Sequence, residues 1–426
     1  MATTTLRQEV ETFSPTRKWV MGFLFLAIGA AIYFIFAIQV DPNAVTTFVM
    51  VPGGVEATLP DWILPSRLTL IILAVIAFAL GVGQLVLPRG FGSRTNFVLF
   101  LVAGFFIFGF LVWGAAGKSL NLAGLLNSTL SKAVPLTLGA LSGVLCERAG
   151  VVNIAIEGMM LTAAMIGALI GSVTGDIWVG LAAGVAAGAL LGLGHAVLSV
   201  TYMTNQIISG TVINIFAVGI TSYISAKFMQ PYQHLNNPAI FQPWEIPLLS
   251  KIPFIGPIMF NNNLFVYAMF LFLIALHFGL FYTRWGLRLR SVGEHPKAAD
   301  TLGINVFRTR YMAVILGGAM AGFAGAYFTL GSVGRFDEVM TAGRGFISLA
   351  AMIFGNWMPF GSFAAGLLFG FADALASKLA ILGIPIPSEF LLMLPYIATM
   401  VVLAGVVGRG QMPAADGVPY EKESTD

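Results

Sequence analysis

The chain has 426 residues, 58% of them hydrophobic and 10% charged, with a formal charge of +3 and a mean hydropathy of +0.88. That balance excludes a soluble globular domain, and the small charge gives no footprint for nucleic acid. One cysteine (Cys146) excludes a disulfide framework or a cysteine-based metal site, four scattered histidines with no pair at ligand spacing argue against a metalloenzyme, and the alternating ten-residue strands of an outer-membrane barrel are absent.

Apolar runs of about 20 residues mark spanning helices. In chain order they fall at Trp19–Val40, Leu68–Leu87, Asn96–Ala116, Thr129–Leu145, Ile154–Gly175, Ile177–Tyr202, Gln206–Met229, Asn263–Thr283, Tyr311–Ser332, Phe346–Trp357, Phe360–Leu379 and Glu389–Gly408. The first has no small-residue cleavage site behind it and is expected to remain as an anchor. Glu157 delays the effective start of the fifth, and Phe346–Trp357 is short enough to be a half-helix or re-entrant piece. The fold class is therefore an all-α polytopic membrane protein, a helical bundle of about 11–12 transmembrane or re-entrant helices. Residues 1–118 read as an N-terminal extension with three transmembrane helices, 119–408 as the core, and 409–426 as a polar C-terminal tail expected to be disordered.

Lys and Arg set the orientation. The loop Arg284–Arg310 holds six basic residues against two acidic ones, which places it in the cytoplasm. Counting crossings from there puts Arg89, Arg94, Arg17, Lys18 and both termini on the same side, with Gln230–Asn262 outside. Glycines at 180, 184, 188 and 192, and at 167, 171 and 175, recur every four residues and predict close helix packing in lipid.

Four polar segments interrupt the apolar pattern. In Glu147–Leu161 (ERAGVVNIAIEGMML), Asn153 and Glu157 lie deep enough to serve or brace a solute path, because polar groups at that depth face a cavity or a partner. Gly150 and Gly158 permit unwinding there. Asn205, Gln206, Ser209 and Asn214 open the seventh run with amide and hydroxyl groups that suit a neutral, polyhydroxylated solute. Ser291–Val306 (SVGEHPKAADTLGINV) predicts a stubby helix, with Pro296 in its first turn and Gly303 as a left-handed stop. Ala298, Ala299 and Leu302 are expected to share one face, ready for the groove of a soluble partner. Asn356 and Trp357, within Gly355–Gly361, are candidates to bond to and stack on a sugar or base, although a Trp at a helix end is also an ordinary interfacial anchor. Asp373 is an isolated intramembrane carboxylate, with Lys378 five residues on as a poorly spaced partner. Gly117-Lys118-Ser119 imitates the end of a nucleotide-binding loop, but Val112 stands where its first glycine belongs.

ERAGVVNIAIEGMML, NQIISGTVIN, SVGEHPKAADTLGINV and GNWMPFGSF, in this order, resemble the permease subunits of bacterial ABC importers for nucleosides and simple sugars, within the branched-chain amino acid/ribose-type superfamily. The resemblance runs from about Leu125 to Gly408 and is closest to the nucleoside type, which works beside a second, different permease. It departs mildly at Ala155 and Ile156, and more in the three additional N-terminal helices.

The resemblance implies a transporter subunit with no catalytic site, metal or cofactor of its own, in the bacterial cytoplasmic membrane. ATP and Mg would be used by a partner ATPase. The implied partners are that ATPase, a second homologous permease, an extracytoplasmic substrate-binding protein or lipoprotein, and membrane lipid, with no nucleic acid. Carried onto this chain, the ATPase-coupling residues are Gly293, Glu294, Pro296, Ala298, Ala299, Gly303 and Ile304. The substrate-pathway residues are Asn153, Glu157, Asn205, Gln206, Ser209, Asn214, Asn356 and Trp357. The competing readings are a permease for another small polar solute such as ribose or amino acids, and an ion-coupled carrier with Glu157 and Asp373 as its relay. A membrane enzyme would need catalytic residues clustered at one interface, and the sequence has none.

Overall fold

The computed structural model describes residues 15–53, 59–383, 390, 393 and 411–422. Among these, ten helices are long and apolar enough to span a bilayer. The expected last helix, Glu389–Gly408, lies almost wholly outside the described residues.

The helices are α1 (Pro15–Ala31), α2 (Ser66–Val86), α3 (Thr95–Gly114), α4 (Leu122–Glu147), α5 (Ile156–Thr174), α6 (Ile177–Ala196), α7 (Gln206–Ile224), α8 (Ile255–Met259), α9 (Leu264–Tyr282), α10 (Arg284–Glu294), α11 (Pro296–Thr301), α12 (Val306–Phe328), α13 (Arg344–Phe354) and α14 (Pro359–Ile381). Local chemistry fixes several starts. Asp176, Asn205, Asn263, Thr283 and Asn305 each accept a first-turn amide, opening α6, α7, α9, α10 and α12. Left-handed glycines at 175 and 303 stop α5 and α11.

The chain forms two compact units, residues 1–123 with 379–385 and residues 124–378 with 386–426. In the first, Gly29 and Gly81 let α1 and α2 approach backbone to backbone. Three short strands that the sequence reading did not identify join there: β1 (Val45–Val49) pairs antiparallel with β2 (Trp62–Pro65) and parallel with β3 (Ser119–Asn121). Phe48, Trp62 and Phe108 stack beside them.

In the second unit α4 is the most enclosed span, 89% of its apolar window being buried, whereas α7 and α9 are 33% buried and lie outside. The glycine stripe of α6 works as its spacing predicts, with one addition. Gly180 and Gly184 press on Gly167 and neighbouring α5 backbone, while Gly188 and Gly192 press on Gly318 and Gly322 of α12, a partner not read from the sequence. The loop 230–262 is tied by a two-residue ladder of β4 (Trp244–Glu245) with β5 (Asn261–Asn262).

The tail departs from expectation. Residues 411–422 lie against the bundle, with Asp416 and Tyr420 buried. Their polarity suggested solvation, yet backbone hydrogen bonds and one aromatic ring hold them to the core.

Candidate functional site

The polar centre of the second unit is built from two broken helices. Between α4 and α5 the backbone is irregular from 148 to 155. At membrane depth every freed amide and carbonyl needs a partner, and neighbouring helices supply them. Gln206 accepts from the Val152 amide (2.7 Å), and His195 Nε2 lies 2.9 Å from the Val152 carbonyl. Asn214 donates to the Ile154 carbonyl (2.9 Å) and accepts from the Gly158 amide (2.8 Å). Asn153, fully buried, folds back to accept from the Ala155 amide. Gly158 and Gly210 leave the room that these contacts need.

α7 therefore turns its polar residues inward. Gln206, Ser209, Asn214 and Thr221 are buried, while Ile207, Ile208, Val212, Ile215 and Phe216 face outward. Ser209 and Asn214 meet different neighbours, as their five-residue spacing requires: Ser209 bonds to His195 Nδ1 at 3.0 Å. Asn205 caps α7 through its side chain.

The second break precedes α13. Glu157, 6% exposed, sits where the N-termini of α5 and α13 meet. One of its oxygens accepts from the Thr341 hydroxyl (2.6 Å) and the Gly343 amide (2.9 Å), and the other from the Gly345 amide (2.6 Å). A carboxylate suits the positive end of each helix and satisfies amides that the helix leaves orphaned. The left-handed conformation of Gly343 (φ 79°) and the contact of Gly345 with Glu157 backbone make this closeness possible.

Beside this pin, Asp373 pairs with Lys132 (2.8 Å) and Arg344 (3.5 Å). Lys378, the partner suggested by the sequence, is thus replaced by a lysine 241 residues away.

The coupling candidates lie at the opposite end from β4 and β5. α10 packs by Gly293 on the Arg148 carbonyl, and His295 breaks the chain before α11. Pro296 opens α11 and Gly303 closes it at φ 80°, the Ile304 amide bonding back to the Ala299 carbonyl. The presented face differs from the expected one. Ala299 is buried with Val292, Val306 and Tyr420, whereas Ala298 is exposed and Leu302 is 81% exposed. Six residues of helix cannot show all three side chains when the tail covers one side.

Asn356 and Trp357 are at this same end, away from Glu157, and neither offers a stacking face. Both adopt positive φ (55° and 52°), and Trp357 is buried. Trp357 Nε1 donates to Glu147 (2.6 Å), Arg148 donates to the Trp357 and Asn356 carbonyls (2.9 and 3.3 Å), and Asn356 accepts from the Gln411 amide (2.7 Å). Burial pulls the Arg148 guanidinium below its usual value, with Glu294 opposing.

The structure thus brings Asn153, Glu157, Gln206, Ser209 and Asn214 together and sets Asn356 and Trp357 apart. The sequence reading passed over His195, Lys132, Arg344 and Arg310. An ionisable residue inside a spanning run is itself the signal that finds His195 and Lys132, whereas Arg310 and Arg344 stand just outside the runs read from the sequence.

The model of the family described as branched-chain amino acid transport system / permease component matches residues 125–404. The guanosine ABC transporter permease protein NupQ of Bacillus subtilis is 41% identical over 69% of this chain and 95% of its own length. The nucleoside ABC transporter permease protein NupC of Lactococcus lactis is 41% identical over 68% of this chain and 93% of its own. The putative glucose ABC transporter permease protein TsgC13 of Haloferax volcanii is 34% identical over 59% and 77%. No solved structure gives a significant match.

Proposed function

The chain belongs to this family of permease components and is the multi-pass membrane subunit of an ABC transporter, not an enzyme; on that premise we propose that it moves nucleosides inward across the bacterial cytoplasmic membrane. The observation that carries the substrate class is the 41% identity to a guanosine permease and a nucleoside permease along nearly their whole length. The chemistry of the centre supports it. Glu157 and Asp373 balance Arg344 and Lys132, and a neutral solute rich in hydroxyls needs donors and acceptors with no net counter-charge.

Lys132, Asp373 and Arg344 are 30%, 26% and 31% exposed. A charge facing lipid near the bilayer centre costs about 2.5–3.5 kcal/mol, so this face belongs to the solute path or to a second permease. Asn153, Glu157, Gln206, Ser209 and Asn214 brace the broken helices behind it.

ATP and Mg2+ are used by a separate cytoplasmic ATPase, into which α11 plugs through Leu302 and Ala298. The six basic residues of Arg284–Arg310 support a cytoplasmic side for that end, and we assign both termini to the same side. Residues 411–422 lie at the same end, which agrees with a cytoplasmic C-terminus. A second permease, forming a heterodimer, and an extracytoplasmic binding protein complete the assembly.

The likeness to a putative glucose permease keeps simple sugars as the second reading. Uptake of labelled guanosine by cells with and without this chain separates the two. Loss of guanosine uptake on deletion, competed by other nucleosides but not by ribose or glucose, supports the nucleoside reading. Loss of sugar uptake alone refutes it.

A further inference from the structure

A slot of about 320 Å³ opens between α9 and α12, floored by α4 and α6. Small residues make the room, because Ala275 of α9 and Ala319 of α12 line it with a single methyl each. At one end the rings of Phe272 and Phe323 meet edge to face, with centroids 5.2 Å apart, and close it. At the other end stands Trp285 of α10, its ring packed on Gly279. Ala275 and Leu316 are exposed along the rim. The Trp285 indole is the only side-chain N–H or O–H in the lining, so the slot has little to offer a polyhydroxylated solute.

Positive charge gathers at the Trp285 end. Arg288 follows Trp285 by one turn of α10. On α12, Arg308, Met312, Leu316, Ala319 and Phe323 recur at spacings of three and four, a stripe that leads from the slot to Arg308. Arg288 and Arg308 are exposed, and neither guanidinium has a hydrogen-bond or ion-pair partner among the described residues. Glu294, the acid that ends α10, accepts from the Ala414 amide instead.

Depth and width choose the occupant. Phe323 stands about 22 Å from Arg308 along α12, roughly half of a bilayer that measures about 40–45 Å with its headgroups. The slot and its arginines thus reach from headgroup level to the midplane of one leaflet. A single turn of protein helix, about 10 Å across and about 5.4 Å high, would overfill the slot, whereas a flexible chain of methylenes fits it.

We propose that this slot binds one anionic phospholipid of the leaflet next to α10. One acyl chain lies between Ala275 and Ala319, Trp285 marks the interface, and Arg288 and Arg308 hold the phosphate. α9 and α12 are the two roots of the α10–α11 loop, so the lipid sits where that loop joins the membrane. The site depends neither on the solute carried nor on which side of the membrane the loop faces.

The test is native mass spectrometry of the full chain within its transporter, delipidated in detergent and titrated with palmitoyl-oleoyl phosphatidylglycerol or with phosphatidylcholine of the same chains. We expect one phosphatidylglycerol held about thirtyfold more tightly than phosphatidylcholine, the worth of two basic contacts. Arg288→Gln combined with Arg308→Gln changes only exposed side chains and should bring the two lipids within about threefold of each other. Ala319→Phe fills the slot and should remove the tight site. A photoreactive phenylalanine in place of Leu316 should cross-link to lipid in native membranes. Equal affinity for the two lipids in the unmodified chain, a preference that survives the arginine changes, or tight binding that survives Ala319→Phe overturns the proposal. So does a cross-link from position 316 to the second permease or to another protein, which would put a polypeptide on this face.

Discussion

Glu157→Gln tests the pin between α5 and α13. The carboxylate, 6% exposed, accepts three hydrogen bonds of 2.6, 2.9 and 2.6 Å. A glutamine can place its carbonyl oxygen toward Thr341 and Gly343, which leaves its NH2 facing the Gly345 N–H, donor against donor. The change forfeits one charge-assisted bond, about 1.5–3 kcal/mol, and strands a buried amide at about 1–3 kcal/mol. The opposite flip is worse, because it abandons two donors. The expected loss is about 4 kcal/mol, close to three decades in the opening equilibrium of the α13 N-terminus. Hydrogen exchange at the Gly343 and Gly345 amides in detergent or nanodiscs reads this directly. Protection within threefold of the unmodified protein would refute the assignment of Glu157 as a helix-capping pin. It would also return Glu157 to the pool of carboxylates free to relay protons.

The other predictions concern packing, the ion cluster and the docking face. Gly188→Ala puts a Cβ against the Gly318 carbonyl oxygen and 2.6 Å from Gly322 Cα, all backbone, whereas Gly194→Ala meets nothing within 4 Å. The first should destabilise by about 1–3 kcal/mol and the second not at all, a contrast that thermal unfolding in detergent checks. Asp373→Asn leaves Lys132 and Arg344 as adjacent uncompensated cations, so it should lower thermal stability, with Lys132→Met restoring part of the loss. Purely additive effects in that double-mutant cycle would contradict the ion triad. Leu302→Ser should leave folding intact, since the side chain is 81% exposed, but weaken ATPase binding by roughly ten- to a hundredfold, the worth of a leucine buried in a groove. Co-purification of the ATPase with the variant, compared with the unmodified chain, measures it.

What the sequence made legible was whatever depends on neighbours in the chain. Twenty-residue apolar runs located the spans, Pro296 and Gly303 bounded α11, and the four-residue glycine spacing announced the close approach of α5 and α6. Partners across the fold were hidden. Glu157 meets Thr341 and Gly345, 184 and 188 residues on, and no local period encodes that. The sidedness of α11 was misjudged at Ala299 because Tyr420, more than a hundred residues later, decides which face is covered. Polarity argued for a loose tail, but backbone amides of Gln411, Ala414 and Ala415 bond whatever their side chains are. Asn356 and Trp357 looked like a recognition pair by type, and their positive φ, invisible in the sequence, turns them to Arg148 and Glu147 instead.

The most direct measurement is accumulation of labelled guanosine in proteoliposomes that hold the complete transporter, with ATP and Mg2+ trapped inside and the binding protein outside. An ATP-driven permease gives accumulation above equilibrium that requires ATP, requires this chain, and persists when proton and sodium gradients are collapsed. Accumulation that proceeds without ATP and follows an ion gradient would contradict it.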